Sequence, residues 1–112
     1  MSPEAHELYL FTISDSALYR QQGEPIVKNL ARKKIKGVFK EPLAVKLYKY
    51  LADNAAKKYT FEFGDKGNAG YWASVKGYGI FTVPQRVEAA KALLDYYREQ
   101  IDATARVLRA KK

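Results

Sequence analysis

The sequence predicts a mainly α protein: a small helical bundle with two long antiparallel helices, two or three short helices and a Gly/aromatic-rich connection. A minor β element is left open. Three observations predict this. Apolar residues recur at steps of three and four over residues 43–63 and again over 83–108, which is the period of an amphipathic helix. Five of the seven glycines fall within residues 64–81, so one break separates the long helices, and a connection of that size lets them pack antiparallel. At 112 residues the chain makes one domain, 1–112, and roughly two thirds of its unfolded surface can enter a single core.

Ser2-Pro3-Glu4 has the composition of a helix start, with Ser as N-cap and Pro in the first turn. Leu8 to Ile13 is rich in aromatic and β-branched residues, so helix and short strand are both open there, with Gly79–Thr82 as a strand's partner. Ser14-Asp15-Ser16 caps a short helix through Arg20 that Gly23 is expected to end. Glu24-Pro25 opens the next helix, with Ile26, Val27, Leu30, Ala31 and Ile35 on its apolar face and Gly37 as its stop. Pro42 leads a helix from Leu43 to Phe63, about 30 Å long, burying Ala44, Leu47, Tyr48, Leu51, Ala55 and Tyr59. Lys49, Asp53 and Lys57 alternate in sign along its opposite face. Thr82 and Gln85 have capping-box spacing ahead of a second long helix with Val87, Ala90, Leu94, Tyr97, Ile101 and Leu108 inward. Arg98, Asp102 and Arg106 make a ladder along another of its faces.

Charge is unevenly distributed. There are 20 Lys and Arg against 12 Asp and Glu, a net +8. Residues 25–40 hold Lys28, Arg32, Lys33, Lys34, Lys36 and Lys40 with no acid, and residues 106–112 hold Arg106, Arg109, Lys111 and Lys112 with none. These ten cations exceed the net charge by two, so the remainder of the chain is −2. Lys28, Arg32 and Lys36 form one row at i, i+4 and i+8, where like charges oppose helix formation. Such a row suits an anion, above all the phosphates of nucleic acid. The competing reading is a solvated face neutralised by acids elsewhere in the fold. Within the tail of about 106–112, cations also suit a helix C-terminus for electrostatic reasons alone. The candidate nucleic-acid contacts are therefore Lys28, Arg32, Lys33, Lys36, Lys40, Arg109, Lys111 and Lys112. Tyr71, Trp72 and Tyr78 are candidate stacking rings for bases, with packing over the core as the competing role.

Catalysis finds little support. There is no Cys, which excludes disulfides, thiolate metal sites and Cys nucleophiles, and fits a reducing compartment. His6 is the sole His, so a nucleophile–His pair or a metal site would have to be built on that one residue. The glycines match neither a phosphate loop nor a dinucleotide fingerprint. No catalytic residue, metal ligand or cofactor is assigned. The N-terminus lacks the basic stretch of a signal peptide, and the longest apolar run is far short of the roughly 20 residues of a membrane span. Nine Tyr, with Tyr96 and Tyr97 adjacent and so facing different ways, suggest a partner surface or a homodimer.

Several motifs in order carry a family resemblance. They are Glu24-Pro25-Ile26-Val27-Lys28-Asn29-Leu30, Lys36-Gly37-Val38-Phe39, Leu43-Ala44-Val45-Lys46-Leu47 with Tyr50-Leu51, Ala55-Ala56-Lys57-Lys58-Tyr59 with Glu62-Phe63, and Phe81-Thr82-Val83-Pro84 with Arg86. Over residues 12–102 the chain resembles a family of small proteins encoded in bacteriophage and environmental viral genomes. The resemblance implies a phage-like gene acting in the cytoplasm of a bacterial host. That family has no assigned activity, so no residue role is carried over. The chain departs from its pattern in the longer glycine-rich 64–81 segment and in the basic tail.

These readings converge on a non-enzymatic phage-type accessory protein that binds DNA, RNA or a nucleoprotein through the basic helix. The alternative is a protein-interaction module, a host-takeover factor or small virion component, docking on an acidic partner protein.

Overall fold

A computed structural model describes residues 1–63 and 77–111. Among these residues the protein is mainly helical and contains no strand. Helix α1 spans Pro3–Ser14, and the Ser2 hydroxyl accepts from the Ala5 N–H at 3.1 Å. Residues 8–13 are therefore helical. Ala5, Leu8 and Thr12 are buried at steps of three and four, and Thr12 satisfies its hydroxyl by donating to the Leu8 carbonyl at 2.7 Å. Burial of this stripe outweighs the strand preference of the individual residues.

The next segment departs from the expected helix–stop–helix. Asp15 caps α2, Ser16–Leu18, accepting from the Leu18 N–H at 2.9 Å. The chain then passes through one π-helical turn, Tyr19–Gly23, directly into α3, Glu24–Ile35. Gly23 does not end a helix: its φ is −62°. It is buried, and a Cβ there would lie 3.3 Å from the Tyr19 ring and 3.7 Å from the Tyr97 hydroxyl. The residue is small because two rings converge on it. Gly37, in contrast, is a true stop. At φ 74° it lets its own N–H reach the Lys34 carbonyl and the Val38 N–H the Lys33 carbonyl, the Schellman arrangement.

Helix α4 spans Glu41–Phe63, starting two residues before the expected Leu43. Helix α5 spans Val83–Ala110 behind the capping box, with Thr82 and Gln85 bonded reciprocally at 2.9 and 3.3 Å. Contacts between α4 and α5 run in reverse order. Glu41 meets Arg98 at 2.8 Å, Tyr48 stacks on Tyr97 at 5.7 Å, Asp53 meets Arg86 at 2.8 Å, and Tyr59 sits edge-on to Phe81, just ahead of α5, at 5.1 Å. Ala44, Tyr48, Leu51 and Ala55 enter the core as expected, while Leu47 and Tyr59 stay half-buried. Leu8, Val27, Leu30, Leu93, Leu94 and Ile101 complete it.

Both expected charge ladders are rerouted. Lys49 pairs with Asp53 at 3.0 Å, but Asp53 is turned toward α5, and Lys57 lies over the Tyr78 ring at 5.2 Å. Arg98 pairs with Glu41 and Asp95, and Asp102 pairs with Lys34 of α3 at 2.5 Å. Asp53 keeps Lys49 and adds Arg86, whereas Asp102 and Arg98 take Lys34 and Glu41 from other helices.

Candidate nucleic-acid interface

The basic helix is α3. Its buried residues Ile26, Val27, Leu30 and Ala31 fix its orientation against α5, so Lys28, Arg32 and Lys36 turn outward and are exposed. One of these cations has a local acid. Glu24 pairs with Lys28 at 3.2 Å, and both side chains remain about half exposed. The expected complete absence of acid holds from residue 25 onward but not for the row as folded.

A groove of about 350 Å³ opens beside this row, lined by Arg20, Glu24, Pro25, Lys28 and Arg32. By sequence alone Arg20 has no assigned role and falls in a short helix that Gly23 ends. The continuous passage from α2 into α3 makes it part of the same rod. The signal that pointed to it was the spacing of Arg20, Glu24, Lys28 and Arg32, each four residues after the last.

The two basic stretches, distant in sequence, meet at one end of the molecule. Lys34 pairs with Asp102, and the Arg109 guanidinium lies 3.5 Å from the Lys34 carbonyl. That carbonyl belongs to the last turn of α3, where a cation is favoured. The Lys34 ammonium beside it holds the Asp102 carboxyl below its ordinary range. Lys34 also sits 4.9 Å from the centre of the Phe39 ring. It is thus committed to the fold, whereas Lys36, Arg106, Arg109 and Lys111 are exposed around it. Lys33 is half-buried, and Lys40 is exposed next to the start of α4.

Of the candidate stacking rings, Tyr71 and Trp72 lie outside the described residues, as does Lys112. Tyr78 is half-buried, with the Arg86 guanidinium 3.8 Å from its ring centre and Lys57 on it as well. Its ring is engaged within the protein, the packing role weighed against stacking. Tyr96 and Tyr97 do diverge: Tyr97 is buried and Tyr96 half exposed, edge-on to Tyr9.

Away from this face, His6 is exposed beside Tyr9. Among the described residues no three His, Asp or Glu side chains are placed to share a metal ion, and no helix is long and apolar enough to cross a membrane. Compared with protein-family models, curated proteins and solved structures, the chain shows no significant match to any.

Proposed function

We propose that this protein is a non-enzymatic accessory protein of phage type that binds nucleic acid, or a nucleoprotein, in the bacterial cytoplasm. Binding is electrostatic, through Lys28 and Arg32 of α3 and Lys36 at its C-cap, with Arg109 and Lys111 adding to the same end of the bundle. The observation that carries this reading is the convergence of the two basic stretches. Residues 25–40 and 106–112 hold ten cations and no acid, and the Lys34–Asp102 and Arg109–Lys34 contacts join them. The sequence contains no recognisable base-reading module, so binding is non-specific or shape-directed. The test is a gel shift with DNA and RNA across a salt series. Binding that weakens steeply with salt supports the proposal. No binding at low salt, or binding indifferent to salt, refutes it.

One observation favours the second reading, docking on an acidic partner protein. Leu43 and Tyr50 are exposed on α4 beside Lys46 and Lys49, around a groove of about 420 Å³. That reading predicts that Tyr50→Ser abolishes capture of one acidic host protein and leaves nucleic-acid binding unaltered.

A further inference from the structure

The groove beside α3 narrows the ligand class further, on the premise that the basic face binds nucleic acid. We infer that the ligand is a duplex held by its two phosphate backbones, with Arg20 as a further contact and Glu24 as the residue that weakens the grip.

The π-helical turn is the structural reason. In an α-helix each residue advances about 100°, so Arg20 and Lys28, eight residues apart, would diverge by about 80°. A π turn spreads an extra residue over its circuit, so each residue advances only about 80°. Four such steps and four ordinary ones bring Arg20 to within about 10° of Lys28. Tyr19–Gly23 is that turn, and Arg20, Lys28 and Arg32 line one groove. The turn is held by packing: the Tyr19 ring stacks on Tyr97 at 6.2 Å, and its hydroxyl accepts from Gln100 at 2.7 Å.

The row's dimensions and composition select a duplex. From Arg20 to Arg32 the row covers about 17 Å of helical rise. This exceeds the roughly 12 Å major groove of DNA, so its two ends reach phosphates on opposite strands. A single strand is ordinarily held by aromatic platforms on which bases stack. Among the described residues the groove's lining contains no aromatic ring, and Pro25 is its one apolar residue. A peptide ligand would lack apolar anchors for the same reason. Glu24 sits between Arg20 and Lys28 and pairs with Lys28, so a phosphate arriving at Lys28 competes with this carboxylate.

The test is fluorescence anisotropy with the full chain and four probes: duplex DNA, duplex RNA and the single strands of the same sequences. At least one duplex is expected to bind about tenfold or more tightly than its single strands. Its logarithmic salt slope should be about −3.6 or steeper, for the four exposed cations Arg20, Lys28, Arg32 and Lys36. Arg20→Gln should weaken duplex binding about fivefold and make the slope shallower by about one, and Glu24→Gln should strengthen binding. Both side chains lie at the surface, and circular dichroism checks that the variants stay folded. Equal affinity for duplex and single strand overturns the duplex inference while leaving nucleic-acid binding intact. No binding to any probe overturns both. An unchanged slope in folded Arg20→Gln, or no gain in Glu24→Gln, overturns the assignment of those two residues.

Discussion

Replacing Arg86 by Met should be the most destabilising single change that leaves side-chain volume nearly intact. Arg86 is only 6% exposed at the α4–α5 interface. It donates to the Phe81 carbonyl at 2.9 Å, lies 3.8 Å from the Tyr78 ring centre, and approaches Asp53 at 2.8 Å as an ion pair rather than an aligned hydrogen bond. The gross attraction at that separation is about 6 kcal/mol with an effective dielectric constant near 20, and desolvation of both groups removes much of it. Removing one partner differs from removing both. Arg86→Met leaves the mostly buried Asp53 carboxylate and the Phe81 carbonyl short of a partner. Breaking a buried pair costs about 3–5 kcal/mol. Lys49 still holds Asp53 at 3.0 Å, which places the loss near 3 kcal/mol. Urea denaturation at constant m-value measures it, and the melting temperature should fall by about 12 °C or more. Asp53→Leu combined with Arg86→Met should recover at least about 1 kcal/mol relative to the sum of the single changes. A single-variant loss under about 1 kcal/mol, or strict additivity, would refute the reasoning.

Three further outcomes follow from the same packing. The Tyr48 hydroxyl is buried without a hydrogen-bond partner among the described residues, so Tyr48→Phe should raise stability by about 1 kcal/mol; a loss of stability in urea titration contradicts this. Gly79 has φ +59°, and a Cβ there would run into the Thr60 hydroxyl, whereas Gly37, at φ +74°, has open space around it. Gly79→Ala should therefore cost about 2 kcal/mol or more and Gly37→Ala about 1 kcal/mol, and a reversed order in thermal melts contradicts the local geometry. Burial pushes the Tyr97 phenol up to about 12, the Glu7 carboxylate does the same for Tyr59, and burial also raises Tyr48. Since these values lie above the ordinary 10.0, their stabilising contribution is complete below pH 10 and is lost as pH rises through 12. Stability that stays level across that window would contradict it.

What was legible in the sequence was governed by local chemistry. Thr82 with Gln85, Ser2 with Pro3, and Gly37 each act through the few residues next to them, and each performs the role its spacing implied. Most inward positions of α4 and α5 were legible for the same reason, since a period of three and four identifies a face, but Leu47, Tyr59, Val87 and Leu108 are only half-buried and Ala89 and Leu93 are buried in addition. Gly23 was misleading because a glycine's local preference and its packing role are indistinguishable in sequence. Only the convergence of Tyr19 and Tyr97 on it explains its size. That misreading concealed Arg20. The polar partners were also illegible. Asp53 and Asp102 each have suitable cations at i±4, yet also pair with Arg86 and Lys34 from other helices, and such pairings exist only once the bundle is assembled. The meeting of the tail with α3 is of the same kind.

The most direct test of the basic-face account is the salt dependence of nucleic-acid binding by the unaltered protein and by the triple variant Lys28→Gln, Arg32→Gln, Lys36→Gln. All three side chains are exposed, so the variant should fold with unchanged stability. The account predicts that its affinity falls by about two orders of magnitude at low salt, with a logarithmic slope shallower by about 2.7. A folded triple variant that binds with unchanged affinity and unchanged slope would contradict it.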